Sequence, residues 1–292
     1  MMNLSYALRL NSSIQQHIVH LLCIGLSLCL CLSLNIANAS AQAVNLEKGI
    51  TLTDSSKLLA ELKLKEVKAS GKRLMNLALG LHKLGQAQAN QEPAKAQKIV
   101  SPKKHISLLV HGYKSQGYEW IYALQQLTKS SEVYVLRWDW TLCPQQGAQV
   151  LTQGLNTLQE LNPQADIHIY GHSYGGVISS ITAANYQSPK PLTVNVIASP
   201  VGGYPRLEQR CAQSVSKLTQ NLSKHNQTPN KALNIHQWRT QKDLDGAFKD
   251  MDNDPQQVDW HGTVTLLPRE YKGHRLGHNW SISWVIDQVI QK

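Results

Sequence analysis

Residues 165–180 read ADIHIYGHSYGGVISS, a stretch that predicts a short strand running directly into a helix. At the break, Ser173 stands between Gly171 and Gly175 in the pattern G-x-S-x-G. A serine on such a turn exposes its hydroxyl beside the free N–H groups of a helix N-terminus, which favour developing negative charge. A chain of this length contains roughly 0.1 such matches by accident. The meaning of the pattern therefore depends on the elements around it.

Strands and helices alternate on both sides of this turn. Apolar runs typical of buried strands lie at 105–113, 132–140, 193–198, 233–238 and 264–267. Patterns typical of helices lie at 117–130, 147–161 and 280–290. Such regular alternation predicts an α/β fold, in which a mostly parallel sheet of about six strands is covered by helices on both faces.

With the serine turn in this context, residues 105–292 resemble the α/β-hydrolase fold, in a short form without its first two antiparallel strands. Members of that superfamily carry a serine, an acid and a histidine in this chain order. The acid follows the second-to-last strand, and the histidine follows the last. The resemblance implies a secreted serine hydrolase, an esterase or a lipase, that cleaves carboxylic ester bonds.

The resemblance also implies roles for particular residues. Ser173 would be the nucleophile, and His278, just before the terminal helix, would be the general base, with His274 as a close rival. The acid would follow the strand at 233–238. Asp243 lies at the usual distance past that strand and is the first choice, but Asp245 also fits and is the alternate.

Two backbone N–H groups would complete the site by binding the oxyanion of the reaction. The resemblance implies that these belong to Tyr174, directly after the nucleophile, and to Tyr113, on the loop after the first predicted strand. His111 and Gly112 end that strand and would shape the loop. For His111, a packed core histidine is an equally good interpretation.

Residues 1–39 predict a secretory signal peptide. This segment has no acidic residue and one arginine, Arg9, ahead of an apolar run at 18–36 and small residues suited to cleavage. The same run is long enough for an uncleaved membrane anchor. The signal-peptide interpretation predicts a protein that is exported, either to the periplasm or out of the cell.

Residues 44–104 predict an N-terminal helical extension and a linker ahead of the hydrolase domain. Apolar residues recur at helical spacing from Leu74 to Leu84, whereas residues 86–104 carry few of them. The helix could pack on the main domain. Because basic residues lie nearby, it could instead contact a membrane surface.

Two cysteines, Cys143 and Cys211, lie beyond the signal segment. In an oxidising compartment an even pair favours a disulfide, here on the side of the sheet where Ser173 is expected. The alternative is a pair of unlinked thiols.

The formal net charge of +10 favours contact with anionic surfaces or acidic molecules, but no nucleic-acid-binding motif accompanies it. No zinc spacing or phosphate-binding loop is present, and the acidic run at 250–254 lacks the glycine that a calcium loop requires. We therefore expect a small-molecule or lipid ester as substrate, with no metal, cofactor or nucleic acid. Competing hypotheses are a non-catalytic envelope binding protein on the same fold, and a thioesterase or acyltransferase.

Overall fold

The computed structural model describes residues 44–45, 64–85, 104–212, 214–225 and 230–291, all within the unit Ala41–Lys292. The predicted signal peptide at 1–39 and most of the predicted linker lie outside the described residues. Among the described helices, none is both long and apolar enough to cross a membrane.

The described part of the chain forms ten strands and seven α-helices. The strands are β1 Val44–Asn45, β2 Gly80–Gly85, β3 His105–Val110, β4 Glu132–Arg137, β5 Asp166–His172, β6 Leu192–Ile197, β7 Leu233–Arg239, β8 Thr263–Leu266, β9 Glu270–Tyr271 and β10 His274–Arg275. The helices are α1 Leu64–Met75, α2 Ile121–Leu127, α3 Pro144–Leu161, α4 Tyr174–Ala184, α5 Pro205–Cys211, α6 Val215–Leu218 and α7 Trp280–Ile290.

Eight of these strands form one sheet in the order β1-β2-β4-β3-β5-β6-β7-β8. Only the pair β2–β4 is antiparallel among the described neighbours, and the other pairs are parallel. At the centre, Ile169 of β5 lies opposite Leu108 of β3 and Val194 of β6. The predicted mostly parallel α/β-hydrolase sheet is therefore confirmed, with eight strands rather than about six.

The central strands are buried on both faces, as their continuous apolar runs predict. Successive residues of β3 point to opposite sides, so Leu108 packs in the cluster that includes α3 and α4, and Leu109 packs in the cluster that includes α1, α2 and α7. Both leucines are completely buried. Each such side chain contributes about 1.5–3 kcal/mol relative to exposure, which makes this double-sided core the main stabilising feature of the sheet.

The N-terminal extension differs from the prediction of one helical face from Leu74 to Leu84. The helix α1 ends at Met75, and residues 80–85 form β2, an antiparallel strand that the predicted short form lacks. Gly80, with a φ of 134°, lies where a helix cannot continue. In the strand, Leu81 packs on one face of the sheet and Leu84 on the other, so a spacing of three residues placed them on opposite faces rather than on one helical stripe.

One glycine allows α4 to begin directly against β3. A Cβ atom on Gly175 would lie 2.1 Å from the carbonyl oxygen of Val110 and 2.7 Å from that of His111. Both obstacles are backbone atoms, so neither can move aside without displacing the strand. The start of α4 is thus fixed by contact with the centre of the sheet.

We expect Gly175→Ala to lower the free energy of unfolding by about 3 kcal/mol, because the added methyl group overpacks this contact. Gly154→Ala in α3 is the matched control, since its Cβ atom would meet only Leu136 Cδ1, at 3.5 Å. That variant should be more stable than wild type by about 0.5–1 kcal/mol, from the better helix propensity of alanine. Urea denaturation measures both, and equal effects of the two substitutions would contradict the contact.

Candidate active site

Ser173 occupies a strained turn between β5 and α4. Its φ of 54° and ψ of −121° lie outside the regions that non-glycine residues favour, at a cost of about 1–3 kcal/mol. Neighbours on both sides hold the turn: the Ser173 N–H donates to the Ile197 carbonyl at 2.9 Å, and Ser199 Oγ donates to the Ser173 carbonyl at 2.8 Å. The side chain itself is half-buried at the carboxyl end of the parallel strands.

Glycines leave the space that this turn needs. A Cβ atom on Gly171 would lie 2.4 Å from Ser179 Oγ and 2.7 Å from the Gly175 carbonyl. The strand β5 and the helix α4 therefore meet closely only because Gly171 and Gly175 lack side chains. A Cβ atom on Gly112 would lie 2.9 Å from the Cβ of Ser173 and 3.4 Å from its Oγ. The loop after β3 therefore lies directly against the serine, where the family resemblance places it.

His278 and Asp245 form a hydrogen-bonded pair. The Nδ1 atom of His278 lies 3.0 Å from each carboxylate oxygen of Asp245. Asp245 is completely buried and also accepts bonds from Thr240 Oγ1 at 2.6 Å and from the Ala247 N–H at 2.8 Å. With Nδ1 donating to this carboxylate, the Nε2 atom of His278 keeps its lone pair free to accept a proton.

Ring contacts and a backbone bond hold His278 beside the serine turn. His172, the residue before Ser173, donates from Nε2 to the His278 carbonyl at 3.0 Å. The His278 ring packs against the His172 ring with centroids 4.7 Å apart, and lies perpendicular to the Phe248 ring with centroids 5.2 Å apart. Burial lowers the pKa of His172 well below its ordinary value, so its ring is neutral beside the candidate base.

The structure brings Asp245 to His278 and leaves the first choice, Asp243, away from it. Asp243 lies on a single 3-10 turn, Lys242–Leu244, with its carboxylate exposed and paired with Arg269 at 2.5 Å. Two residues later the chain has turned inward, and the Asp245 side chain is completely buried. The rival base, His274, is exposed on β10, where it stacks on Trp280.

His111 is buried in a hydrogen-bonded position at the end of β3. Its Nδ1 atom lies 3.0 Å from the Gly112 carbonyl, and its Nε2 atom lies 2.5 Å from Nη1 of Arg137 and 3.4 Å from the Trp138 nitrogen. Burial is the main reason why the pKa of His111 falls to about 4. The ring is therefore neutral, and it bonds to the loop after β3 rather than filling core space alone.

The two candidate oxyanion donors lie on either side of Ser173. Tyr174 is the first residue of α4, so its N–H has no acceptor within the helix. Tyr113 follows Gly112 on the loop that contacts the serine. The Tyr113 side chain is half exposed, and its ring packs edge-on against Trp140 with centroids 4.7 Å apart. We call these two rings the aromatic patch; its member Tyr113 is one residue past the Gly112 contact with Ser173.

The predicted disulfide is present between Cys143 and Cys211, whose Cα atoms are 5.6 Å apart. It joins the residue before α3 to the last residue of α5. Nearby, the Tyr174 hydroxyl donates to the Leu142 carbonyl at 2.6 Å, which ties the loop after β4 to the start of α4. In the part of the chain described, no cluster of three or more histidine, cysteine, aspartate or glutamate side chains could hold a metal ion.

The two buried histidines predict a loss of stability in acid. Between pH 6.5 and pH 4 the unfolded chain binds a proton at His111 that the folded chain does not, so the free energy of unfolding falls as the pH falls. For a pKa lowered from 6.5 to about 4, that contribution is about 3 kcal/mol. We expect His111→Asn to reduce the pH-dependent loss of the free energy of unfolding by this amount, while the contribution of His172 remains. Urea denaturation at a series of pH values would measure the change. An unchanged slope would contradict the buried neutral ring.

Several solved structures are similar in fold at low sequence identity. Est1E from Butyrivibrio proteoclasticus is 10% identical with a TM-score of 0.47, over 65% of this chain and 86% of that chain. The mature Bacillus licheniformis lipase BlEst2 is 14% identical with a TM-score of 0.44, over 68% of this chain and 94% of that chain. Esterase B from Lactobacillus rhamnosis, solved with a phosphonate inhibitor, is 13% identical with a TM-score of 0.40, over 74% and 84%. No curated protein sequence matches the chain.

The chain also matches a known protein family over the segment that contains Ser173. Residues 84–230, which are 147 of the 292 residues, match the class 3 lipases. The matched segment contains Ser173 and both candidate oxyanion donors, whereas Asp245 and His278 follow it. Because this segment spans half of the chain, the chain belongs to the class 3 lipase family and is a carboxylic ester hydrolase.

Proposed function

We propose that Ser173, His278 and Asp245 form a catalytic triad that hydrolyses carboxylic esters through an acyl-enzyme. The observation that carries this proposal is the bond from His278 Nδ1 to the buried Asp245 carboxylate. It orients the imidazole and leaves its Nε2 atom as a base, while the strained turn carries Ser173 directly after His172, which contacts the same histidine.

In the first half of the reaction, Ser173 Oγ attacks the ester carbonyl carbon and its proton passes to Nε2 of His278. The carbonyl oxygen becomes an oxyanion that accepts bonds from the N–H groups of Tyr113 and Tyr174. The tetrahedral intermediate then expels the alcohol, which takes the proton from His278, and an ester of Ser173 remains. Asp245 stabilises the imidazolium that exists between these two proton transfers.

In the second half, water attacks the acyl carbon and gives a proton to His278. The second tetrahedral intermediate breaks the bond to Ser173 Oγ, which recovers the proton from His278, and the carboxylic acid leaves. The bonds from Thr240 and Ala247 keep the Asp245 carboxylate in one orientation throughout the cycle. The histidine thus returns to the same tautomer after each turnover.

The aromatic patch supports a substrate with an apolar acyl chain. Tyr113 follows Gly112, which lies against Ser173, and its half-exposed ring packs on Trp140. We infer that the acyl chain of an ester bound at Ser173 lies against these two rings. The insertion after β6 is short, and its helix α5 has no buried residue. A small insertion favours an esterase or a modest lipase acting on short and medium acyl chains.

Export fits the site as well. Residues 1–39 predict a signal peptide, and the disulfide between Cys143 and Cys211 suits an oxidising compartment. We place the mature enzyme in the periplasm or outside the cell. There its basic net charge would favour contact with anionic envelope surfaces.

Substitution of the two neighbouring aspartates, Asp245 and Asp243, tests which of them is the acid of the triad. Asp245→Asn should lower kcat for a p-nitrophenyl butyrate substrate by about 10⁴-fold, because it loses the charge that stabilises the imidazolium. Asp243→Asn should change kcat less than about twofold, since an exposed ion pair contributes little.

Labelling by a fluorophosphonate probe tests the nucleophile independently. Mass mapping of the labelled mature protein should find the phosphonate on Ser173, and Ser173→Ala should not react. A well-folded wild-type protein that stays unlabelled would contradict the proposed function. That result would favour the alternative hypothesis, a non-catalytic binding protein on this fold.

The aromatic patch gives a prediction for chain length. Trp140→Ala should raise KM for a hexanoate ester about fivefold, equivalent to about 1 kcal/mol of lost apolar contact, and leave KM for the acetate nearly unchanged. Leu161→Ala is the control, because Leu161 is 65% exposed at the far end of α3. Equal KM changes for both esters would exclude the patch as the acyl site.

A further inference from the structure

A chain of hydrogen bonds connects the end of α1 to the loop after β3. Arg137 donates from Nη2 to the Met75 carbonyl at 2.8 Å, and its Nη1 lies 2.5 Å from Nε2 of His111. A guanidinium group has no acceptor atom, so Nε2 must be the acceptor and the ring proton lies on Nδ1. That Nδ1–H donates to the Gly112 carbonyl at 3.0 Å.

These bonds orient one peptide group. The Gly112 carbonyl also accepts from the Ser115 N–H at 3.4 Å. In a planar trans peptide the C=O and the following N–H point in opposite directions. The donors on the Gly112 oxygen therefore set the direction of the Tyr113 N–H, the proposed oxyanion donor, at the place where Gly112 lies against Ser173.

The helix α1 contacts the same loop at a second point. Gly117 has a φ of 78°, and a Cβ atom on it would lie 2.4 Å from the Gly71 carbonyl oxygen. A Cβ atom on Gly71 would lie 2.3 Å from the Tyr118 nitrogen and 2.6 Å from the Gln116 carbonyl. Helix and loop thus touch backbone to backbone.

The far end of the loop reaches the other half of the site. The Tyr118 hydroxyl accepts a bond from Nδ2 of Asn279 at 3.0 Å, and Asn279 directly follows His278. The helix α1 is itself anchored, since Leu74 is completely buried in the core cluster that includes α2 and α7. A fixed helix therefore supports both ends of residues 111–118, which we call the oxyanion loop.

We propose that α1, which lies outside the family-matched segment, positions the oxyanion loop for catalysis, with Arg137 and His111 as positioning residues. The inference rests on the proposed function, because its object is the Tyr113 N–H. The bond from this N–H strengthens as negative charge develops on the substrate oxygen. A loosened loop should therefore lower kcat and leave KM almost unchanged.

The main test replaces Arg137 and uses a second arginine as its control. Arg137→Met keeps the length of the side chain and removes every donor, so we expect kcat for a short-chain ester to fall about 10- to 100-fold with KM within twofold. The phosphonate should label Ser173 more slowly by a similar factor. Arg73→Met removes an exposed arginine of α1 whose guanidinium bonds only to Ser70 in the described contacts, and it should match wild type.

Two replacements of His111 separate positioning from packing. His111→Asn keeps a donor close to the Nδ1 position and should retain kcat within about threefold of wild type. His111→Leu has similar bulk but no donor, and it should lose as much kcat as Arg137→Met. Equal kcat values for the two variants would mean that the residue only fills space, which overturns the proposal.

A third variant keeps the proposal testable if the buried substitutions prevent folding. Gly71→Ala removes none of the named side chains but pushes α1 away from Tyr118, and it should also lower kcat without raising KM. Folded variants with wild-type kcat, or losses confined to KM, would overturn the role of α1. Failure of the proposed function has a different signature, since wild-type Ser173 would then remain unlabelled.

Discussion

The strained backbone of Ser173 is the constraint to which the surrounding structure responds. A residue with a φ of 54° persists only where its neighbours leave it no other conformation. Here β5 ends between two parallel neighbours, and α4 starts pressed against the Val110 carbonyl through Gly175. All eleven residues of α4 are buried, so the helix cannot shift to relieve the turn. The strain of a few kcal/mol is offset by the apolar burial on both faces of the sheet.

The electrostatics of the site follow from burial as much as from charge. Asp245 is a buried carboxylate, and its three hydrogen-bonding partners replace the water that it has lost. His172 contacts the ring of His278, yet its depressed pKa keeps it neutral, and the approach of His278 contributes to that depression. In the proposed reaction, the positive charge that forms on His278 therefore lies against the Asp245 carboxylate and beside a neutral His172.

The parts of the fold set by local periodicity could be predicted, because burial on both faces of a parallel strand leaves a continuous apolar run. The position of Ser173 on the strand-to-helix turn and that of His278 just before the terminal helix could be predicted from those elements. Which aspartate bonds to His278 could not, since it depends on how far one 3-10 turn rotates the chain. Leu81 and Leu84 were predicted to lie on a helix, but they lie on β2, because the helical spacing takes no account of the break at Gly80. The contact of His111 with Arg137 joins residues 26 positions apart, at the ends of two adjacent strands, and no local pattern predicts it.

The disulfide between Cys143 and Cys211 explains how a segment with so little core can stay in place. The helix α5 buries none of its residues, so apolar contact alone would leave it free to detach from the body of the domain. The cross-link closes a loop of 68 residues, and in the chain-entropy description this restricts the unfolded ensemble by about 4 kcal/mol. The position of α5 thus depends on a covalent bond to the residue before α3, so we expect reduction to expose α5 to proteolysis.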